Sequence, residues 1–351
     1  MHSHAQRILL FLALFAIVAK GDPVLLVTNN AAGTIGEYDA STGATINASF
    51  ITGLSGPTNV AVDNQGNLFV SNSTAGTIGE YNALTGAVIN ASLVSGLRTT
   101  GTGPQAIAVD NNGDLYVSYS PTNNGYDRVG EYSTANGAAI NSSLITGLTY
   151  PPGIALDGLG DLFVAKNLSG VGTGSVLEYD ASTGALISAS FITGITNPTT
   201  LLFNGGDLFI SQYGAGSVGE YDAATGATID ASFISGLADP FGLAIDGNGD
   251  LFVSNRASGT VGEYNLADGS PVNDSFITGL GSPDGIAFLP NSVPDATDTL
   301  GLMALSVISL VALPRRLRHS VFRCRLVGLC RISRSNKQCI VDARETGFRC
   351  V

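Results

Sequence analysis

Between residues 24 and 290 the apolar and polar positions recur in a fixed order. One unit holds the run Asn59-Val60-Ala61-Val62-Asp63, a polar turn Asn64-Gln65-Gly66-Asn67, and a second run Leu68-Phe69-Val70-Ser71-Asn72. Thr77-Ile78-Gly79-Glu80-Tyr81 and then Val88-Ile89-Asn90-Ala91-Ser92-Leu93-Val94 complete it. Each run is short, rich in β-branched and aromatic residues, and bounded by Gly, Asn, Asp or Pro, which predicts strands. Four in succession, here named a, b, c and d, form an antiparallel meander. The a-to-b turns, Asn112-Gly113 and Asn248-Gly249 among them, place Gly where a tight hairpin needs positive φ.

The pair Glu-Tyr marks strand c and recurs at 37/38, 80/81, 131/132, 178/179, 220/221 and 263/264. Four-stranded units of roughly 40 to 50 residues predict a β-propeller, and six pairs predict six blades. The repeat opens on a b-type run, Val24 to Asn29, with no strand a before it. It ends on an a-type run, Pro283 to Leu289, with no strand b after it. The two ends therefore complete one blade, three strands from the start and one from the finish, which protects edges otherwise open to aggregation. The expectation is an all-β, six-bladed propeller of four-stranded antiparallel blades, one domain over residues 22–292.

Composition bears on chemistry more than on fold. The 351 residues include 45 Gly, and only 13% are charged against 44% hydrophobic. Such a chain buries a core, and Gly does not fall on every third position, so disorder and collagen are excluded. The net charge of −12 sums unlike parts: residues 22–292 carry 24 acidic and 4 basic residues, a net −20. That balance opposes nucleic acid as a partner. The same body has no His, Cys, Met or Trp. It lacks the commonest general base and metal ligand and the strongest nucleophile, which leans away from an enzyme without deciding the matter. No cofactor is expected. Asp110-Asn111-Asn112-Gly113-Asp114 has calcium-loop spacing but no distal Glu, so it reads as an Asx hairpin turn, with weak calcium binding as the alternative.

Irregularities in the repeat locate a working face. The Tyr spacings are 43, 51, 47, 42 and 43 residues. Relative to 43, insertions fall in the d-to-a connection Leu97 to Pro104 and in the b-to-c loops Ser120 to Asp127 and Asn167 to Gly174. Both loop classes emerge on one face of an antiparallel meander. The six Glu of the Glu-Tyr pairs repeat in every blade and read as structural. The residues that break the repeat do not. All four bases of the body, Arg98, Arg128, Lys166 and Arg256, fall on the inserted face. So do Tyr119, Tyr126, Tyr150 and Tyr213, and Phe241 is added as a ninth candidate ligand-binding residue. The opposite face collects turn aspartates such as Asp63, Asp157 and Asp246.

Pro152-Gly153-Ile154-Ala155-Leu156-Asp157, followed by Gly160-Asp161-Leu162-Phe163-Val164-Ala165, resembles the repeat of the NHL-type six-bladed propellers. The resemblance spans all six blades and implies fold more than function, since one propeller scaffold hosts lyases, lactonases and binding modules. Lyases of this group rely on His, which the body lacks.

The chain ends carry addresses. Ile8 to Ala19 is a 12-residue apolar run between Arg7 and Lys20, the shape of a secretory signal peptide over residues 1–21. Val293-Pro294-Asp295, the apolar run Leu300 to Leu313, and Arg315, Arg316 and Arg318 resemble the PEP-CTERM sorting tails over residues 293–318. That resemblance implies processing by an exosortase, transient anchoring by a membrane helix, and a destination that is secreted or at the cell surface. Residues 319–351 hold all four Cys (324, 330, 339, 350) and seven bases, and read as an unstructured basic tail. A misread frame and a metal or disulfide knot are the alternatives.

The combined expectation is an exported, envelope-associated, non-catalytic module that binds protein or carbohydrate through the b-to-c and d-to-a face. A metal-dependent lactonase or hydrolase of the gluconolactonase-like type is one alternative. It would need convergent Glu, Asp and Asn around the channel mouth, where the sequence offers no blade-specific acid beyond Asp127, Asp239 and Asp284. A structural surface or matrix component is the other.

Overall fold

The computed structural model describes residues 23–122, 127–167 and 172–289. The expected signal peptide, the sorting segment, the basic tail and Tyr126 lie outside the described residues.

Six four-stranded antiparallel sheets form a closed ring. Blade 1 pairs strand a, Pro283–Leu289, with strand b, Val24–Asn29, then strand c, Thr34–Asp39, and strand d, Thr45–Ile51. The closing register sets Val24 opposite Leu289 and Val27 opposite Ile286. Blade 2 comprises strands Pro57–Val62, Asn67–Asn72, Thr77–Asn82 and Val88–Val94, in agreement with the four expected runs. Blades 3 to 6 follow over residues 103–148, 154–196, 198–235 and 240–277. Strands a lie innermost, each touching the next around the ring, and surround a channel of about 350 Å³.

The core lies between blades. Along strand b, Leu68 and Val70 face one side and Phe69 the other, the alternation of a strand buried on both faces. Leu68, Val70 and Tyr81 of blade 2 pack with Leu26, Ile35 and Ile51 of blade 1. Phe69, Phe163, Phe209 and Phe252 are fully buried, and the last three pair with Phe191, Phe233 and Phe276 of strand d at centroid distances of 5.2, 5.5 and 5.4 Å. Strands d expose their first residues, as at Val88 and Val272, and in blades 2 and 6 bury their last two.

Two repeated glycines explain the sequence signature. The Gly before Glu-Tyr is there because the Tyr ring folds back over it: a Cβ on Gly79 would lie 2.8 Å from the Tyr81 ring. Blade 4 replaces this Gly with Leu177, which packs into the core. The Gly of the c-to-d turn has φ near +70° and abuts the preceding blade. A Cβ on Gly137 would run into the Leu93 carbonyl, and one on Gly226 into that of Phe191. Glycine there sets the blade-to-blade approach.

The a-to-b turns are closed by aspartate. Asp63 Oδ1 accepts from the backbone N–H groups of Gln65 and Asn67, and Asp110, Asp157 and Asp246 do the same in their blades. The strand-c glutamates approach these turns. Burial raises Glu131 and Glu263 above the ordinary carboxylate value, and the neighbouring aspartates raise them further.

Candidate functional site

On the opposite face the b-to-c loop of each blade hydrogen-bonds the d-to-a segment that enters the same blade. Ser73 N donates to Gly56 O, Asn167 N to Tyr150 O, Tyr213 N to Asn197 O, Arg256 N to Asp239 O, and Asn30 N to Ser282 O. In blade 3 Gly103 and Ser120 are paired by register. Both loop classes therefore share one face, as expected, and meet at the mouth of the channel.

The residue at this position always precedes a Pro and always has positive φ. Gly occupies it in blades 2 and 3, Gly56 at +66° and Gly103 at +76°. In the other four it is Tyr150 at +40°, Asn197 at +46°, Asp239 at +56° and Ser282 at +64°. These are the only non-Gly residues with positive φ among the described residues. A side chain in this region costs about 1–2 kcal/mol, most for a bulky one such as Tyr. Gly103 is also held by space, because a Cβ there would meet the Ser73 carbonyl.

The four blades are contiguous, 4, 5, 6 and 1, so the larger groups on strained backbone form an arc, with Gly at the same position in blades 2 and 3. Arg256 anchors the arc. Its guanidinium lies over the Phe241 ring, 5.4 Å from the centroid. Its Nε donates to Ser282 Oγ at 3.0 Å and lies 3.1 Å from Asp284 Oδ1. Asp284 is 0% exposed and also accepts from Asn30 Nδ2 at 2.9 Å. Burial pushes its carboxyl up to about 6, while Arg256 and Asn30 pull the other way. Nη1 and Nη2 of Arg256 find no hydrogen-bond acceptor among the described residues.

Two tyrosines flank this pair. Burial raises the Tyr150 hydroxyl, Arg256 lowers it, and Asp284 and Asp127 raise it, so the hydroxyl lies within electrostatic range of those groups while 41% of the residue stays exposed. Its backbone N–H donates to Asp127 Oδ2 at 2.6 Å. The Tyr213 hydroxyl is raised first by burial and then by the neighbouring Asp239 carboxylate. Below the mouth the channel is walled by Val, Ala, Ile, Leu and Phe. Asn59 and Thr200, on blades 2 and 5, are its side-chain polar groups among the lining residues. Thr200 Oγ1 is buried without a hydrogen-bond partner.

Of the nine candidates from sequence, Tyr150, Tyr213, Phe241 and Arg256 come together here. Tyr119 lies within strand b of blade 3 rather than in a loop. It shares the buried side of that strand with Leu115 and Val117, and its hydroxyl donates to the outer strand at Ser142 O. Lys166 holds the equivalent position in blade 4, half-buried and opposite Ser175. Arg128 lies over Tyr119 at 5.7 Å and donates to Ser143 Oγ of the outer strand. Arg98 folds onto backbone, donating to the carbonyls of Gly101 and Thr74, so it pins two loops together. Sequence reasoning missed Asn30, Asn197 and Ser282. The signal was present in the six residues preceding the a-strand prolines, two Gly and four larger.

No family model and no curated protein matches the chain. Solved structures match in fold. The propeller of a nidogen/laminin complex aligns over 77% of this chain and 100% of its own length, with TM-score 0.64 and 16% identity. A gluconolactonase from Xanthomonas campestris covers 67% of this chain and 82% of its own, with TM-score 0.54 and 15% identity. A Bacteroides caccae protein of unknown function covers 76% and 99%, with TM-score 0.57 and 15% identity.

Proposed function

We propose that the chain is an exported, envelope-associated binding module that engages its partner through the channel mouth of the b-to-c and d-to-a face, without catalysis. The observation that carries this reading is the broken symmetry of the mouth. Six equivalent positions need positive φ, and four contiguous blades place Tyr, Asn, Asp and Ser there against the local backbone preference. Strain held at one side of a repeated architecture is a mark of function. Arg and Tyr, the side chains that most often anchor binding, are concentrated on the same arc.

Export is supported by the apolar run Ile8 to Ala19, and envelope association by the sorting-tail pattern of residues 293–318. A nidogen/laminin complex is a precedent for a propeller that takes a protein partner. The lactonase reading has less support. Asp127, Asp239 and Asp284 stand at the mouth, but Tyr150 N–H already holds Asp127, and Arg256 with Asn30 already engages Asp284. Among the described residues no three His, Cys, Asp or Glu side chains are grouped to hold a metal ion.

The test compares the full chain with Arg256→Ala and Tyr150→Gly on immobilised glycans and envelope proteins, alongside a lactone hydrolysis assay. Binding by the wild type that both variants lose supports the reading. Binding that neither change alters, or metal-dependent lactone turnover, overturns it.

A further inference from the structure

Resting on the mouth as the binding site, we infer that it takes an uncharged, hydroxyl-rich ligand, a neutral saccharide, between the Tyr150 and Phe241 rings and the Arg256–Asp284 pair. Charge removes the alternatives first. An anionic ligand would meet Asp127, Asp239 and Asp284 at the mouth of a body at net −20, against the single cation Arg256. A cationic ligand would meet a guanidinium already laid over Phe241 and already paired with the buried carboxylate. A strong ionic anchor of either sign is therefore absent from the arc.

What the arc does offer is donors and acceptors side by side. Arg256 is fixed through Nε by Ser282 and Asp284, which leaves Nη1 and Nη2 as oriented donors. Asp284 is buried in its ion pair, with Asn30 on Oδ2, so it fixes the arginine and the acceptors in reach of a ligand are the half-buried Asp239 carboxylate and Ser282 hydroxyl. A hydroxyl both donates and accepts, so one of two vicinal hydroxyls donates to a carboxylate while the next accepts from the guanidinium. Neither a carboxylate ligand nor an ammonium ligand uses both kinds of group. Tyr150, 41% exposed, adds an apolar ring flank for the C–H face of a sugar ring. Deeper in the channel, Asn59 and Thr200 line the wall from opposite blades, the polar residues that a ligand extending inward would pass.

Tyr150→Gly is the informative variant. Glycine adopts positive φ without strain, as Gly56 and Gly103 do at the equivalent positions, so the substitution removes the ring while leaving the backbone a conformation it favours. The probes are dextran, galactan and xylan as neutral polymers, polygalacturonate as an anionic one, and polylysine as a cationic one, each titrated against the full chain. At least one neutral polymer is expected to bind, with affinity reduced at least tenfold by Tyr150→Gly and by Arg256→Ala. Arg128→Ala, on the outer part of blade 3, is expected to leave it within twofold. Selective binding of polygalacturonate or polylysine that the mouth variants abolish overturns the ligand class and leaves the mouth as the site. Neutral-polymer binding that depends on Arg128 and not on the mouth overturns the site as well. Absence of binding to every neutral polymer overturns the inference.

Discussion

Arg256 Nε lies 3.1 Å from Asp284 Oδ1, joining the b-to-c loop of blade 6 to the innermost strand of blade 1, where the two ends of the propeller close. The pair is asymmetric: the arginine side chain is 37% exposed and the aspartate 0%. Its energetics follow from the aspartate, because that is the partner taken out of water.

The Asp284 carboxyl is raised to about 6 by burial. Its value in the unfolded chain is about 3.9, so between these values the folded state holds the extra proton. The stability from this group is full below about pH 4 and is lost as pH rises through 6. Asp284→Asn removes the effect. Urea unfolding from pH 4 to 7 should show the wild-type-minus-variant difference falling by up to about 3 kcal/mol. A difference independent of pH would remove burial as the dominant influence on this carboxyl.

Arg256→Ala leaves Asp284 buried without its cation. The cost at pH 7.5 is expected to be about 1–3 kcal/mol, below that of a fully buried pair because the arginine is half in water. At pH 4.5, where Asp284 is mostly protonated, most of that cost should vanish. Equal destabilisation at both pH values would mean that the arginine acts by packing on Phe241 alone.

Two glycine-to-alanine changes separate conformation from space. Gly66 has φ +83° with nothing within 4 Å of the place a methyl group would take, so Gly66→Ala is expected to cost about 1 kcal/mol. Gly137 has φ +69°, and its Cβ would strike the Leu93 carbonyl of the preceding blade. Gly137→Ala should therefore cost more than about 2 kcal/mol, since the blades must part. Thermal melts of the two proteins give the comparison.

Phe252 is fully buried against Phe276, while Val272 of the same blade is 58% exposed. Phe252→Ala should lower unfolding free energy by about 3–5 kcal/mol. Val272→Ala should change it by less than about 0.5 kcal/mol. Denaturant titration of both decides whether the stability of the ring resides between blades or on its rim.

The strands were legible because their alternation is local. The run Val24 to Asn29 and the run Pro283 to Leu289 coincide with the observed strands at both ends, and the pairing of their blade followed from counting. The candidate site was legible in part. Arg256, Tyr213, Tyr150 and Phe241 stood out because they break the repeat, yet Tyr119 and Lys166 break it equally and sit at a strand position turned toward the outer part of the blade. Pleat parity separates the two groups, and parity depends on where each strand b ends. In blade 3 that strand runs to Ser120, which keeps Tyr119 within it.

By itself the sequence determined the number of blades, the strand order, the closure of blade 1 by both chain ends, and the face on which the loops vary. All of these follow from a periodic pattern and the antiparallel sense of a meander. Only the tertiary structure decided which loop residues meet. Asn30 and Asp284 are 254 residues apart and share a hydrogen bond because ring closure brings blade 1 onto itself. Tyr150 of blade 4 comes within electrostatic range of Arg256 of blade 6 because their loops meet on one face of the ring. The physical reason is geometric: hydrophobic alternation specifies each blade, whereas the chemistry of the mouth arises where six blades converge on one axis.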